Sequence, residues 1–251
     1  MFTDTHCHIL HNCYYNVEDL IENLENNNIK RIITNGYNLQ TNQDVLILSS
    51  SYPNVYGALG IHPDNINENI NDTIKLIEDN INNRKIIAIG EIGLDYYHNK
   101  DNKEQQIEML EIFLNLAEKY NLPVIIHNRE ATDDLLRILK KHHTKGIIHC
   151  FSGSPETAKE YIKLGFKLGI GGVVTFKNSK LSETLKQIPL ESILLETDSP
   201  YLTPHPLRGM PNEPLYLTFV ANKLTEIYNI PLNKLVEQLE INFQELFDIN
   251  R

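Results

Sequence analysis

Short runs of apolar, mostly β-branched residues recur along this chain, and between them apolar residues come three or four apart. The runs at 2–6, 30–35, 54–61, 85–91, 123–127, 145–149, 166–170 and 192–197 read as strands. They are continuous rather than alternating, as expected of parallel strands covered on both faces. Segments such as 17–27, 103–120, 131–142, 155–164 and 179–187 read as helices. In 103–120, Ile107, Leu110, Phe113, Leu114 and Ala117 fall on one helical face. Ser154-Pro155 marks a helix start, and Asn121-Leu122-Pro123 a helix stop. Strand then helix, eight times over, predicts an α/β chain folded as a TIM (β/α)8 barrel, a single domain over 1–251. A doubly wound sheet is the runner-up, but no glycine-rich phosphate turn follows the first strand. Two more amphipathic helices, near 214–229 and 233–247, follow the eighth strand. Their apolar faces (Leu217, Val220, Leu224, Ile227; Leu235, Leu239, Phe243, Leu246) are expected on the barrel exterior. The asparagine-rich stretches at 26–28, 65–72 and 80–83 read as solvated loops and helix ends.

This frame gives meaning to scattered polar residues. Asp4, His6 and His8 lie in DTHCH, Glu91 in GEIGLDYY, His127 in PVIIHNR, His149 in GIIHC and Asp198 in LLETDSP. Each sits at the carboxyl end of an expected strand, and in a parallel barrel those ends share the face that carries the active site. Imidazoles and carboxylates converging there make a divalent-metal site. His6 and His8, two apart in an extended segment, share a side and stand about 6.6 Å apart along it. A lone histidine ending an apolar run is more often a satisfied core residue. Two of them, His127 and His149, on strands five and six beside Glu91 on strand four, make coincidence a poor account. Glu91 follows Ile86, Ile87, Ala88 and Ile89, and a buried carboxylate is costly unless paired or metal-bound. Asp198 has a bland reading as a turn cap before Pro200.

The layout favours two divalent ions, zinc, manganese or magnesium. One would take His6, His8 and Asp198, the other His127 and His149, with Glu91 between. Such a pair activates water and steadies the attacking and leaving oxygens. Asp198 and Glu91 are the expected catalytic carboxylates, Asp198 positioning or deprotonating the water. Asp4 and Glu196 are expected behind the ligands, orienting them. His62, in GIHPDN, faces the same mouth and is a candidate for contact with substrate. Arg129, Lys177 and Arg208 are candidates for phosphate contacts, and for the last two an ordinary solvated role is about as good. Cys7 and Cys150 adjoin ligands but point the other way along their strands.

Composition narrows the classes. The chain has 251 residues, 41% of them hydrophobic, and a net charge of −10. That excludes a broad basic surface for gripping duplex DNA, though bound cations reverse the sign locally at a metal cleft. No apolar run approaches the roughly 20 residues of a membrane helix. The opening MFTDTHCH has no basic segment or cleavage signal, so a cytoplasmic location is expected. The three cysteines show no paired spacing and are expected as thiols. No Ser-His-Asp order, nucleophile elbow, Walker loop or zinc ribbon occurs.

DTHCH, GIHP, GEIGLDYY, PVIIHNR, HCFSG, ETDSPYLTP and RGMPNEP, in that order, resemble the TatD-type metal-dependent deoxyribonucleases, within the amidohydrolase-like barrels. The resemblance runs from residue 3 to beyond 214. It implies a TIM barrel, metal positions at His6, His8, Glu91, His127, His149 and Asp198, and 3′-to-5′ exonuclease or related DNase activity. The substrate expected on that basis is DNA, single-stranded or frayed at a 3′ end, with no membrane and no obligate protein partner. One departure stands out: Ile9-Leu10-His11 follows the second histidine, where an acid is common. The rival reading is an amidohydrolase-type enzyme acting on a small amide or ester. Glu91 stands where many of those carry a modified lysine, which weighs against it.

Overall fold

The structure, a computed structural model, describes residues 1–98 and 100–249. Eight parallel strands lie side by side in chain order. They are β1 (Phe2–Cys7), β2 (Ile29–Asn35), β3 (Val55–Leu59), β4 (Ile86–Asp95), β5 (Val124–Arg129), β6 (Gly146–Ile148), β7 (Phe166–Ile170) and β8 (Ile193–Leu195). The first and last strands meet near their carboxyl ends. The His8 N–H donates to the Ser199 carbonyl at 2.7 Å, and the Asp198 N–H donates to the His6 carbonyl at 2.9 Å. The Thr5 hydroxyl adds a bond to the Leu195 carbonyl at 3.1 Å. The result is the expected TIM barrel, nearly closed, and the backbone that closes it belongs to candidate ligands.

Helices α1 (Val17–Glu22), α2 (Leu39–Ser51), α3 (Ile70–Asp79), α4 (Lys103–Tyr120), α5 (Thr132–Leu139), α6 (Pro155–Lys163) and α7 (Leu181–Leu185) alternate with the strands. Helix α6 starts at the expected Ser154-Pro155, with the Ser154 hydroxyl accepting the Thr157 N–H. Helix α4 ends at Asn121, whose left-handed backbone releases the chain into β5. The stretch 65–72 is only partly loop: Asn69 caps α3, and its side chain accepts the Asn71 N–H. Apolar 3.6-residue stripes from these helices cover the outer face of the sheet.

Helices α8 (Leu217–Tyr228) and α9 (Leu232–Leu246) follow β8. Leu217, Val220, Leu224, Leu235 and Leu239 are buried in the outer layer, as expected. The end of α9 does something else. Phe243, Leu246 and Phe247 form a second apolar cluster with Ile33, Ala58, Ile125, Ile147 and Leu194. Those five come one from each of five strands, while Ile32, Leu59, Ile126, Ile148 and Leu195 next to them belong to the outer cluster. The strand period of two therefore turns the first set into the barrel, and α9 plugs its amino-terminal floor rather than lying on its flank. Asn242 fixes the plug by donating to the Leu190 and Ile193 carbonyls, both at 2.8 Å.

Candidate metal centre

Two residues above the floor, the inward positions change character. Ile33, Ile125, Ile147 and Leu194 are followed at that spacing by Asn35, His127, His149 and Glu196. Glu91 lies within β4, where the pairing with β5 shifts register between Ile89 and Ile92. β4 runs on to Asp95, past the expected end at Glu91. Gly93, at φ 153°, lets it pass: a Cβ there would stand 2.0 Å from the His127 carbonyl oxygen.

The six expected ligands converge. Glu91 Oε2 lies 3.2 Å from His8 Nε2 and 3.6 Å from His6 Nε2. Its other oxygen, Oε1, lies 2.9 Å from His149 Nε2 and 3.1 Å from His127 Nδ1. Asp198 Oδ1 stands 3.4 Å from His6 Nε2 and 3.7 Å from His8 Nε2. Three overlapping groups have donor atoms close enough to share an ion: His6, His8 and Glu91; His6, His149 and Asp198; and His62, Glu91 and His127. The donor set fits a divalent cation. His6 Nε2 is buried and makes no hydrogen bond, although carboxylate oxygens lie around it at 3.4 and 3.6 Å. A buried imidazole nitrogen left so is costly without a partner such as a metal.

The comparisons with known proteins agree with the geometry. A family model described as TatD-related DNase matches residues 3–248. The chain belongs to the TatD family. It is 38% identical over 255 residues to the metal-dependent hydrolase YabD of Bacillus subtilis, with all of both chains covered. It is 33% identical to the metal-dependent hydrolase YjjV of Escherichia coli, covering 99% of this chain and 98% of YjjV. The crystal structure of YjjV superposes with a TM-score of 0.91, covering 98% of this chain and 97% of that one. A TatD-family hydrolase from Entamoeba histolytica, 24% identical, shares the fold with a TM-score of 0.87 over 99% of this chain and 98% of its own. This protein is therefore a metal-dependent hydrolase of the TatD family.

The TatD-family site opens into a cavity of about 400 Å³ lined by His8, Glu91, His127, His149 and Asp198. His62 and Arg129 line it as well, with Arg129 stacked 4.0 Å over the Tyr97 ring. Lys177 and Arg208 do not join that lining. Lys177 is exposed, and Arg208 packs over Phe176 and donates to the Thr203 carbonyl at 3.0 Å, an ordering role in the loop after β8. Asp4 is fully buried below the site. It accepts the His6 N–H and the Thr197 N–H and hydroxyl, tying the strand of His6 to the loop of Asp198. Glu196 accepts the Cys150 N–H at 2.5 Å and stands 3.8 Å from His149 Nδ1. Gly169 leaves it room: a Cβ there would lie 1.9 Å from Glu196 Oε2. The Cys7 thiol turns away from the site to the Ile33 carbonyl, and the Cys150 thiol is in none of the donor groups.

Asp95 is the functional candidate that the sequence reading missed. Its Oδ2 lies 3.1 Å from His127 Nε2 and 3.0 Å from His98 Nδ1. A carboxylate behind a ligand imidazole fixes the tautomer and turns the other nitrogen toward the ion. The only hint in the sequence was its place four residues beyond Glu91.

Charge is arranged to keep the Glu91 and Asp198 carboxylates ionised. Burial works against ionised Glu91, but His149, His62 and His6 outweigh it and hold the carboxyl well below its ordinary range. Burial likewise opposes ionised Asp198, and the imidazoles of His6, His149 and His8 beside it prevail and lower it. Burial lowers His6 and His62 to about 4, so both are neutral bases at neutral pH. Burial raises Asp4 to about 7 and Glu196 well above the usual carboxyl value.

Proposed function

We propose that the chain is a divalent-metal-dependent deoxyribonuclease that hydrolyses phosphodiester bonds from the free or frayed 3′ end of a DNA strand. The observation that carries this reading is the division of Glu91, one oxygen facing His6 and His8 and the other facing His127 and His149. A carboxylate so placed suits a bridge between two cations, the arrangement that serves in-line displacement at phosphorus. His6, His8 and Asp198 would hold one ion, His127 and His149 the other, with zinc, manganese or magnesium as the candidates. When bound, such ions polarise a phosphoryl oxygen and lower the pKa of water.

The chain's own groups do the rest. Asp198, kept ionised, orients the attacking water and takes its proton as the water oxygen bonds to phosphorus and the P–O3′ bond breaks, the departing O3′ taking a proton from solvent to become the new 3′-hydroxyl. Arg129, on the cavity wall, contacts a neighbouring phosphate. A cavity of about 400 Å³ takes a terminal nucleotide more readily than a continuous duplex, which favours an end over an internal site.

The test is chelation and add-back of single divalent metals, with end-labelled single-stranded DNA as substrate and product sizes resolved. Stepwise release of mononucleotides from the 3′ end is expected. Turnover of small amides or esters with DNA left intact would replace this reading with the amidohydrolase-type one.

A further inference from the structure

Four histidines surround Glu91 Oε1 or Oε2 in similar fashion, and a fifth, His62, brings Nε2 to 3.6 Å from Oε1. Distance alone would make His62 one more ligand. The nitrogen on the far side of the ring sets His62 apart from His8 and His127, whereas Nδ1 of His6 and of His149 has no hydrogen-bond partner among the described residues. His8 turns Nδ1 to the Asn35 carbonyl at 2.9 Å. A carbonyl only accepts, so Nδ1 carries the proton and Nε2 keeps its lone pair toward the site. His127 turns Nε2 to the Asp95 carboxylate at 3.1 Å, so Nδ1, on the Glu91 side, is the nitrogen that gives up its proton to a cation. Both rings are set to bind a cation.

His62 is wired the other way round. It caps the short turn Pro63–Asn65, and its Nδ1 accepts the backbone N–H of Asp64 at 3.1 Å. A backbone amide only donates, so Nδ1 must be the bare nitrogen and Nε2 must carry the proton. The Asp64 carboxylate also approaches Nδ1, at 3.5 Å, but the amide hydrogen already occupies the lone pair. The proton on Nε2 faces the cavity beside the His127 ring, whose centroid is 4.4 Å away.

We propose that His62 is not a metal ligand but a hydrogen-bond donor, presenting Nε2–H to a non-bridging oxygen of the substrate phosphate next to the His127 end of the site. It is a fixed N–H at an oxygen that gains negative charge as the phosphoryl group is attacked. The inference rests on the phosphodiesterase reading for its substrate, whereas the tautomer and the absence of ligation stand on the geometry alone.

The experiment has three arms. In metal-free protein labelled with 15N-histidine, long-range proton–nitrogen correlations should show His62 protonated at Nε2 and His8 protonated at Nδ1. In metal-loaded protein, His62→Ala should keep the wild-type metal stoichiometry, where His127→Ala loses metal. Inorganic phosphate should bind the loaded His62→Ala protein about 10-fold or more weakly than wild type, as for a lost hydrogen bond to a charged group. His62→Gln, which can place an amide N–H near the same point, should recover most of that loss. A bare Nε2 on His62, or metal lost from His62→Ala as from His127→Ala, overturns the proposal, and so does phosphate binding that His62→Ala leaves unchanged. If loaded wild-type protein binds phosphate through His62 yet cleaves no DNA, the nuclease reading fails and the donor role stands.

Discussion

The floor and the mouth of this barrel are built from the same strands, two residues apart, and they follow opposite rules. At the floor, Ile33, Ile125, Ile147 and Leu194 meet Phe243 and Phe247 in a buried apolar layer. At the mouth, His127, His149 and Glu196 stand on three of those strands, among carboxylates and imidazoles whose hydrogen bonds are incomplete. The floor lowers the free energy of the fold, and the mouth raises it in the absence of a cation. Strand alternation makes this separation possible, since an inward position can change chemistry without moving its neighbours. The two layers should therefore respond differently to substitution.

The largest effect is expected at the mouth. Glu91→Ala should abolish hydrolysis and lower the content of both ions together, measured by elemental analysis beside turnover. The fold should persist, because the variant removes a buried charge rather than packing. Glu91→Gln keeps the shape and loses the charge. Full metal stoichiometry in Glu91→Gln would break the reading of Glu91 as a bridge.

At the floor, Phe243→Ala should cost about 3–5 kcal/mol of stability, the usual price of emptying a buried aromatic site. Phe243 is fully buried, and the Arg31 guanidinium lies 4.0 Å over its ring. Chemical denaturation would read the loss, while turnover per folded, metal-loaded molecule should hardly change. A large fall in specific activity with intact stability would erase the distinction between floor and mouth.

How much of this contrast was legible beforehand differs between the layers. The six converging residues were readable because each lies at the carboxyl end of a short strand-like run, of Val or Ile for His127 and His149, and strand direction then fixes the face. The role of α9 was not, because periodicity shows which helical face is apolar and not what covers it. Asp95 escaped because β4 extends past Glu91 across a register shift, and its partner His127 is distant in sequence. Lys177 and Arg208 follow strands in the chain, yet loop paths carry them away from the cavity, which spacing cannot show.

A smaller effect separates Asp95 from the ligands it supports. Burial would lower His127, but its bonds to Asp95 and Glu91 raise it from 6.5 to about 9 in the metal-free protein. The raised value means that protonated His127 stabilises the metal-free fold below about pH 6.5 and that this contribution fades as pH rises through about 9. A cation must displace the same proton, so metal affinity should climb over that window. Asp95→Asn should weaken metal binding by about 10–100-fold, the range for outer carboxylate partners of ligand histidines. It should also flatten the pH dependence of the melting temperature of the metal-free protein. Calorimetric titrations at several pH values check both, and unchanged affinity would make Asp95 a mere loop anchor for His98.

The smallest effect lies at the rim of the mouth. Of Arg129, Lys177 and Arg208, only Arg129 lines the cavity, stacked on Tyr97. Three phosphate contacts on a single strand would give a log–log salt slope of about −2, whereas one gives roughly −0.7. Arg129→Ala should therefore flatten the slope by about 0.7 and weaken binding of every sequence alike, because a phosphate contact carries no base information. The measurement is affinity for a non-cleavable single strand across a salt series, with metal held constant. Lys177→Ala and Arg208→Ala should leave the slope where it is. A wild-type slope steeper than about −5 would require an extended basic track, which a chain of net charge −10 with a single arginine on its cavity wall among the described residues does not offer.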